Sequence, residues 1–311
     1  MTGTMPGPHR PPAVPAPSRR GWWLAAVLLG TALGAAGLGG LAQTGRPVPA
    51  GPALESLGVN AVRRLAGVPT VRLRTDWVAE CTAHATYLVR ADRAEHRQDP
   101  QSPHRSALGE RCAPGHYYVT SRPDAGSARA MAYWATGAFH LPQLIDPRLK
   151  AVALGVAHDA AGGVQSAVVL DVRRGLSGAG RYPVRFPAPN LTSPFVQAAQ
   201  FEWPDPVAGC PGYAAPVGAP VALLLGPGRE ARWAAIKVNG RAVAACLLTA
   251  GRYRGVSDAD SRVGRNVLAA QGGAVLLPRA PLPAGAAVRV SFGTKQGRVS
   301  WAFRVAGGGR D

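Results

Sequence analysis

The chain has 311 residues, of which 47% are hydrophobic and 17% are charged, so it holds enough apolar material for two ordinary domains and is not disordered along its whole length. Lysine and arginine number 35 and aspartate and glutamate 17, and the net charge of +18 favours acidic partners such as envelope polymers or anionic lipid. The composition excludes collagen-like and coiled-coil proteins, and an aromatic content of only 6% argues against a nucleic-acid-binding protein.

The N-terminal region predicts export from the cytosol. Residues 1–20 form a Pro- and Arg-rich head, and residues 21–42 carry no charge. About 20 apolar residues span the hydrocarbon core of a bilayer, and arginines that precede such a stretch place the head in the cytoplasm. Two interpretations stay open: a signal peptide cleaved after Ala42, or an uncleaved membrane anchor over residues 22–42. Either one locates the rest of the chain in the cell envelope or outside the cell.

Residues 54–182 are predicted to form an α+β domain, which follows a Pro/Gly-rich linker at 43–53. Apolar residues at helical spacing predict three helices, and two apolar runs separated by turn residues predict a β-hairpin. The helices cover 54–66, 76–91 and 127–137, and the strands cover 151–157 and 166–172. The stretch 92–125 is polar, which predicts irregular structure there.

Residues 183–306 are predicted to form a small all-β sandwich, followed by a tail at 307–311. The part before residue 220 is Pro-rich and loop-like, and short apolar runs then alternate with turn residues. These runs predict strands with no helix between them. They cover 221–225, 233–238, 242–248, 274–277, 287–292 and 299–305. The dipeptide Asn239-Gly240 lies between two of the runs and predicts a tight hairpin.

Four cysteines, Cys81, Cys112, Cys210 and Cys246, fit the oxidising compartment that export implies. Four cysteines allow three pairings. Because two lie in each predicted domain, the sequence favours Cys81–Cys112 and Cys210–Cys246, with free buried cysteines as the alternative. The chain has no Cys-x-x-Cys motif, which argues against a structural zinc ribbon.

Histidines are concentrated in the first predicted domain. Six of the seven lie between residues 84 and 158. His84 lies on the second predicted helix and is expected to pack within the fold. His104, His116 and His158 are expected at exposed or loop positions.

Several short motifs follow one another in a set order across residues 54–172. They are Ala83-His84-Ala85, Glu95-His96, Leu108-Gly109-Glu110, Ala132-Tyr133-Trp134, Phe139-His140 and Leu154-Gly155-Val156. Together they resemble the CAP superfamily, which contains cysteine-rich secretory proteins, antigen 5, plant pathogenesis-related proteins and bacterial SCP-like extracellular proteins. The resemblance implies an α-β-α sandwich, in agreement with the helices and strands predicted from periodicity. The later stretch 278–303 resembles a bacterial Ig-like module.

The resemblance also implies a site. In that family two histidines and two acidic residues face a central cavity, which holds a divalent metal in some members. Residue by residue, this places His96, Glu110 and His140 at the cavity, while the second acid falls on Gly137. Two imidazoles and one carboxylate are the minimum protein ligands of an open zinc site. The alternative is that His96 and His140 are hydrogen-bonded structural histidines.

The glycine at position 137 decides among the candidate functions. A hydrolase that uses Glu110 as a metal ligand needs a further general base, and Gly137 has no side chain to provide one. The sequence therefore predicts a non-catalytic cell-envelope protein whose CAP-like domain binds an acidic polymer, a lipid or a protein, with a metal such as zinc as a candidate cofactor. The alternatives are a metal-dependent hydrolase of peptide or cell-wall polymer and a structural adhesion module.

Overall fold

A computed structural model of the chain describes residues 58–307. The segments predicted at 1–20, 21–42 and 43–53 lie outside the described residues, as do residues 308–311 of the tail. Within residues 58–307, no helix has the length and apolar character needed to span a bilayer.

The first half of the described chain alternates helices with strands. In chain order these are α1 Val59–Leu65, β1 Arg72–Leu73, α2 Val78–Arg90, α3 Ala107–Glu110, β2 His116–Thr120, α4 Ser127–Thr136, α5 Leu141–Leu144, β3 Ala151–His158 and β4 Ser166–Asp171. The three predicted helices and the predicted β3–β4 hairpin are confirmed. Strand β2 corrects the prediction of irregular structure over 92–125. Its run of Tyr117, Tyr118 and Val119 favours a strand, but the run is short and lies in a polar stretch.

Helices cover both faces of the sheet that these strands form. The strand order is β1-β3-β4-β2, and all six residues of β4 are buried. Because successive strand residues point to opposite faces, Val169 packs with Leu88 of α2, whereas Val168 packs with Trp134 of α4. The predicted α+β class and α-β-α sandwich are therefore confirmed for this half.

Gly155 of β3 allows α2 to touch the sheet directly. A Cβ atom at this position would lie 2.1 Å from the backbone nitrogen of Thr82, so any larger residue would push the helix away. The contact fixes α2, and with it the start of the segment that carries His96.

A buried arginine on α1, Arg63, holds this helix in place. The Arg63 guanidinium is inaccessible to solvent and donates hydrogen bonds to the carbonyls of Pro69, Leu144, Asp146 and Leu149, over 2.7 to 3.2 Å. Its burial lowers the pKa of Arg63 to about 10. Through these four acceptors Arg63 ties α1 to the chain that leaves α5.

The second half of the described chain contains most of the strands. Its elements are β5 Val184–Phe186, β6 Thr192–Ser193, β7 Val221–Leu224, β8 Ala231–Val238, β9 Arg241–Val243, β10 Ala245–Leu248, α6 Asp258–Gln271, β11 Gly273–Pro278, β12 Ala287–Thr294 and β13 Gly297–Val305. They form one sheet in the order β10-β11-β7-β5 and another in the order β6-β13-β12-β8-β9. The Asn239-Gly240 hairpin between β8 and β9 is confirmed. The strands are consistent with the predicted sandwich, and its Ig-like character stays a prediction.

Helix α6 corrects the prediction that this half contains no helix. Its apolar residues lie at helical spacing, but they are few, and the helix as a whole is polar. The start is marked by a capping box, in which Ser257 and Asp260 bond each other's backbone amides, and the end by Gly272 in the left-handed conformation. These local signals stabilise helix ends without requiring an apolar stripe.

One continuous apolar cluster joins the two halves, including Trp134 and Phe139 from the first and Tyr253 and Leu276 from the second. The rings of Phe139 and Tyr253 lie with their centroids 4.8 Å apart. Helix α6 reaches this contact through Gly264, where a Cβ would lie 2.4 Å from the Tyr253 ring. The second half is thus packed directly behind the residue that precedes His140.

Candidate functional site

Three histidines from different elements lie close together in the first half. His96 follows α2, His116 is the first residue of β2, and His140 immediately precedes α5. The ring centroids of His116 and His140 are 4.8 Å apart. His96 lies against Tyr117, with centroids 4.6 Å apart, and its charged form would disfavour protonation of His116. The start of β2 and the chain segments next to α2 and α5 therefore bring the three histidines together, and we call them the histidine cluster.

His116 is the most deeply buried member of this cluster. It is 2% exposed, and neither ring nitrogen has a hydrogen bond of normal geometry among the described residues. Desolvation, followed by the neighbouring His140 and His96, holds the pKa of His116 well below its usual value. The imidazole is thus neutral at physiological pH. The prediction of an exposed or loop position for His116 is wrong, because strand β2 carries it into the interior.

His140 is paired with a carboxylate from the second half of the chain. Its Nδ1 lies 2.7 Å from Oε1 of Glu202, and the Glu202 side chain is 1% exposed. The same carboxylate accepts hydrogen bonds from the backbone amides of Ala138, Phe139 and His140 at 2.6, 2.8 and 3.1 Å. Glu202 therefore holds both the imidazole and the turn that carries it.

Gly137 provides the space that Glu202 occupies. A Cβ atom at Gly137 would lie 2.7 Å from Oε1 of Glu202 and 3.1 Å from Nδ1 of His140. The position at which the family resemblance implies an acid thus lacks a side chain, while a carboxylate from outside the matched region lies beside it. Sequence reasoning missed Glu202, and no motif around it marks this role.

Two contacts hold the segment that delivers Glu202. The Tyr133 hydroxyl donates to the carbonyl of Phe201 at 3.2 Å, and the Trp203 indole donates to Asp260 of α6 at 3.1 Å. Phe201 itself has a φ of 60°, a left-handed conformation that is costly for a bulky residue. The surrounding contacts therefore impose this conformation.

Glu110 is not brought to the histidine cluster. It is ion-paired with Arg105 at 3.4 Å and lies in an open depression whose lining includes Glu95 and Asp99 but no histidine. Among residues 58–307, no group of three His, Cys, Asp or Glu side chains is placed to hold a metal ion. The metal site predicted at His96, Glu110 and His140 therefore stays a prediction. The residue beside His140 in the structure is His116, with ring centroids 4.8 Å apart.

His84 packs within the fold as predicted. It is fully buried on α2, where Nε2 lies 3.2 Å from the carbonyl oxygen of Glu95 and the Gln98 amide donates to Nδ1 at 3.2 Å. These partners fit a neutral ring that donates through Nε2. Desolvation lowers the pKa of His84 to about 4.

The pKa of His84 predicts a loss of stability in acid. The unfolded chain takes up a proton on this histidine near pH 6.5, whereas the folded protein resists protonation until about pH 4. The contribution of His84 is therefore present above pH 6.5 and is lost as the pH falls toward 4, by up to about 3 kcal/mol. Urea denaturation at pH 7, 5.5 and 4.5 measures this loss. The variant His84→Gln is expected to show a flatter pH profile, and parallel profiles for both proteins would contradict the assignment.

Both predicted disulfides are confirmed. Cys81 of α2 is bonded to Cys112, and Cys210 is bonded to Cys246 of β10. The first bridge is adjacent to the cluster, because Ala113, the residue after Cys112, presents its carbonyl oxygen 3.4 Å from Nδ1 of His96. Disulfides persist in oxidising compartments, which agrees with an extracellular protein.

Comparison with known proteins identifies the first half of the described chain. A search of curated proteins returned no match. A family model described as the cysteine-rich secretory protein family, CAP, matches residues 58–171. The match covers α1 to β4 and all three clustered histidines, but not Glu202. A CAP domain together with two disulfides points to an extracellular or secreted protein. Residues 58–171 therefore form a CAP domain, as the cysteine-rich secretory protein family model describes it.

Proposed function

We propose that this protein is an exported cell-envelope protein whose CAP domain binds a ligand without transforming it. The proposed binding surface consists of His140, Tyr133 and Phe201, and we call it the histidine site. The observation that carries the proposal is a fully exposed aromatic side chain, Phe201, on a backbone segment that is hydrogen-bonded next to the mostly buried His140 imidazole. Such a surface suits an amphipathic ligand such as a lipid, because the exposed ring gains free energy when apolar area is buried on it and the imidazole can hydrogen-bond a polar group.

Phe201 is the exposed part of the histidine site. Its side chain is 96% exposed, although the neighbouring Glu202 is locked by four hydrogen bonds. A costly backbone conformation that persists at a surface is typical of ligand-binding segments. The ring of Tyr133 lies 5.5 Å from that of His140, so an apolar group on Phe201 and a polar group at His140 can belong to one ligand.

The hydrogen bonding of Glu202 argues for binding over catalysis. A carboxylate has about four acceptor positions, and Glu202 already uses four hydrogen bonds within the fold. A general base must reach a proton on the substrate or on water, and Glu202 is buried and fully engaged. His116 is neutral and inaccessible to solvent.

The His140–Glu202 pair favours a second candidate, a hydrolase of peptide or cell-wall polymer. A carboxylate that accepts from Nδ1 leaves Nε2 of the imidazole as a proton acceptor, which is the arrangement of a general base in many hydrolases. His140 retains a 13% exposed side chain. This candidate ranks second because no nucleophile or second acid is found beside the pair among the described residues.

Dye binding tests the histidine site. We expect anilinonaphthalene sulfonate, an anionic aromatic dye, to bind the full chain with a fluorescence increase, and to shift the NMR signals of the isotope-labelled His140 ring. Phe201→Ser is expected to raise the dissociation constant about tenfold, since a buried phenylalanine contributes roughly 1.5–3 kcal/mol. Val256→Ser is the matched control, because Val256 is 82% exposed but lies outside the histidine site.

Two outcomes would contradict the proposal. Equal losses in both variants would mean that the dye responds only to general surface hydrophobicity. Release of products from labelled casein or labelled cell-wall polymer by the wild type, abolished in His140→Gln, would establish the hydrolase instead.

We also propose that the chain reaches the envelope through its N-terminal region, as a secreted protein or anchored by residues 22–42. The CAP domain and the disulfides support an extracellular location. N-terminal sequencing of the mature protein distinguishes the two, since cleavage after Ala42 yields a chain that begins at Gln43.

A further inference from the structure

The outer face of the five-stranded sheet is a flat basic surface. Along β8, β12 and β13 the inward residues are apolar, and the outward residues include Lys237, Arg289, Arg298 and Arg304, all exposed. We call this surface the basic sheet face. Small residues separate several of the cations, namely Ala235, Ser291, Ser300 and Ala302.

No negative charge from these strands balances the basic sheet face. The chain has no aspartate or glutamate between residues 231 and 256 or between 273 and 307. Among the described residues, none of the four cations takes part in an ion pair. Such a one-sided charge raises the local concentration of polyanions.

Two of the cations lie directly opposite each other. Arg289 of β12 is the register partner of Lys237 of β8, and both side chains point outward. Like charges in this position destabilise an antiparallel pair. Nothing in the packing of the sheet requires two cations there, and a bound anion would turn the repulsion into attraction.

A tryptophan lies flat among these charges. Trp233 rests on Gly293, where a Cβ atom would come within 2.0 Å of the indole nitrogen. The ring is 41% exposed, and the guanidinium carbon of Arg298 lies over it, 5.3 Å from its centroid. The surface therefore presents a partly covered indole in contact with a positive charge.

We propose that the basic sheet face binds an acidic polysaccharide of the cell envelope. A sugar ring packs against the exposed part of the Trp233 indole, and carboxylates along the polymer pair with Arg289, Arg298 and Arg304, whose planar guanidinium groups match carboxylates in a bidentate manner. The flat indole does not protrude, which disfavours insertion into a lipid bilayer. A single aromatic side chain offers too few stacking positions for a nucleic acid strand.

Binding of polygalacturonate, a linear uronate polymer, to the full chain in mild detergent tests the proposal. The double variant Arg289→Gln/Arg304→Gln is expected to weaken binding about tenfold, because charge-assisted hydrogen bonds are among the stronger polar contacts. The control Arg129→Gln/Arg262→Gln removes the same charge from exposed positions on α4 and α6 and is expected to change binding less than about twofold. Trp233→Ala is expected to weaken binding without changing its salt dependence.

Three other results would contradict the proposal. Equal weakening by both double variants would mean that net charge alone attracts the polymer. Absence of polygalacturonate binding at low salt would overturn the proposal. Tighter binding to phosphatidylglycerol vesicles or single-stranded DNA, with the same dependence on Arg289 and Arg304, would replace the polysaccharide by a membrane or a nucleic acid. None of these results bears on Phe201, so the histidine site stands or falls separately.

Discussion

The variant Glu202→Ala is expected to lose about 4 kcal/mol of folding free energy, because several buried donors lose their acceptor together. The amides of Ala138, Phe139 and His140 and the His140 imidazole all bond this one carboxylate. Removing it also allows the His140 ring to change tautomer. Urea denaturation measures the first effect, and the NMR signals of the labelled His140 ring measure the second.

Two further variants isolate the cause of this effect. Glu230→Ala is the matched control, since Glu230 is an exposed acid of the same half that accepts one backbone hydrogen bond, from Gly251. It is expected to lose no more than about 1 kcal/mol. Gly137→Ala is expected to displace the Glu202 carboxylate without removing it, because the added Cβ would lie 2.7 Å from Oε1. Equal stability of Glu202→Ala and Glu230→Ala would refute the role given to Glu202.

The variant Arg63→Ala is expected to lose at least about 4 kcal/mol of folding free energy. The substitution leaves four backbone carbonyls without their donor and opens a cavity where the guanidinium was. Thermal or urea denaturation measures the loss. Arg64→Ala is the control, because Arg64 is adjacent in sequence but exposed, and its loss is expected to stay within about 0.5 kcal/mol. Similar values for the two variants would show that the buried hydrogen bonds contribute little.

Glu202 links the second half of the described chain to the CAP domain. The CAP family model ends at residue 171, yet the carboxylate that orients His140 comes from residue 202. Helix α6 supports that segment through the bond from Trp203 to Asp260. The second half therefore supplies the carboxylate that holds His140, in addition to presenting the basic sheet face.

The amino-acid sequence by itself determined most of the secondary structure in both halves. Apolar residues at helical or alternating spacing identified α1, α2, α4 and the β3–β4 hairpin, because such spacing is set by the geometry of a single element. The distribution of the cysteines indicated both disulfides, and the Asn239-Gly240 turn indicated the β8–β9 hairpin. The ordered motifs identified the CAP domain. Helix α6 was missed because it is polar as a whole, although its few apolar residues lie at helical spacing and its capping box and terminal glycine are visible in the sequence.

Only the tertiary structure decided which residues meet around His140. His116 was expected in a loop, and Glu110 was expected at a metal centre. Glu202 lies 62 positions from His140, in a segment to which the sequence assigned no role at this site. Its place depends on the space left by the missing side chain at Gly137 and on the contacts of Tyr133 and Trp203 with the same segment. A local pattern reports how one element faces the core, whereas the meeting of a carboxylate with a distant imidazole depends on how the two halves pack together.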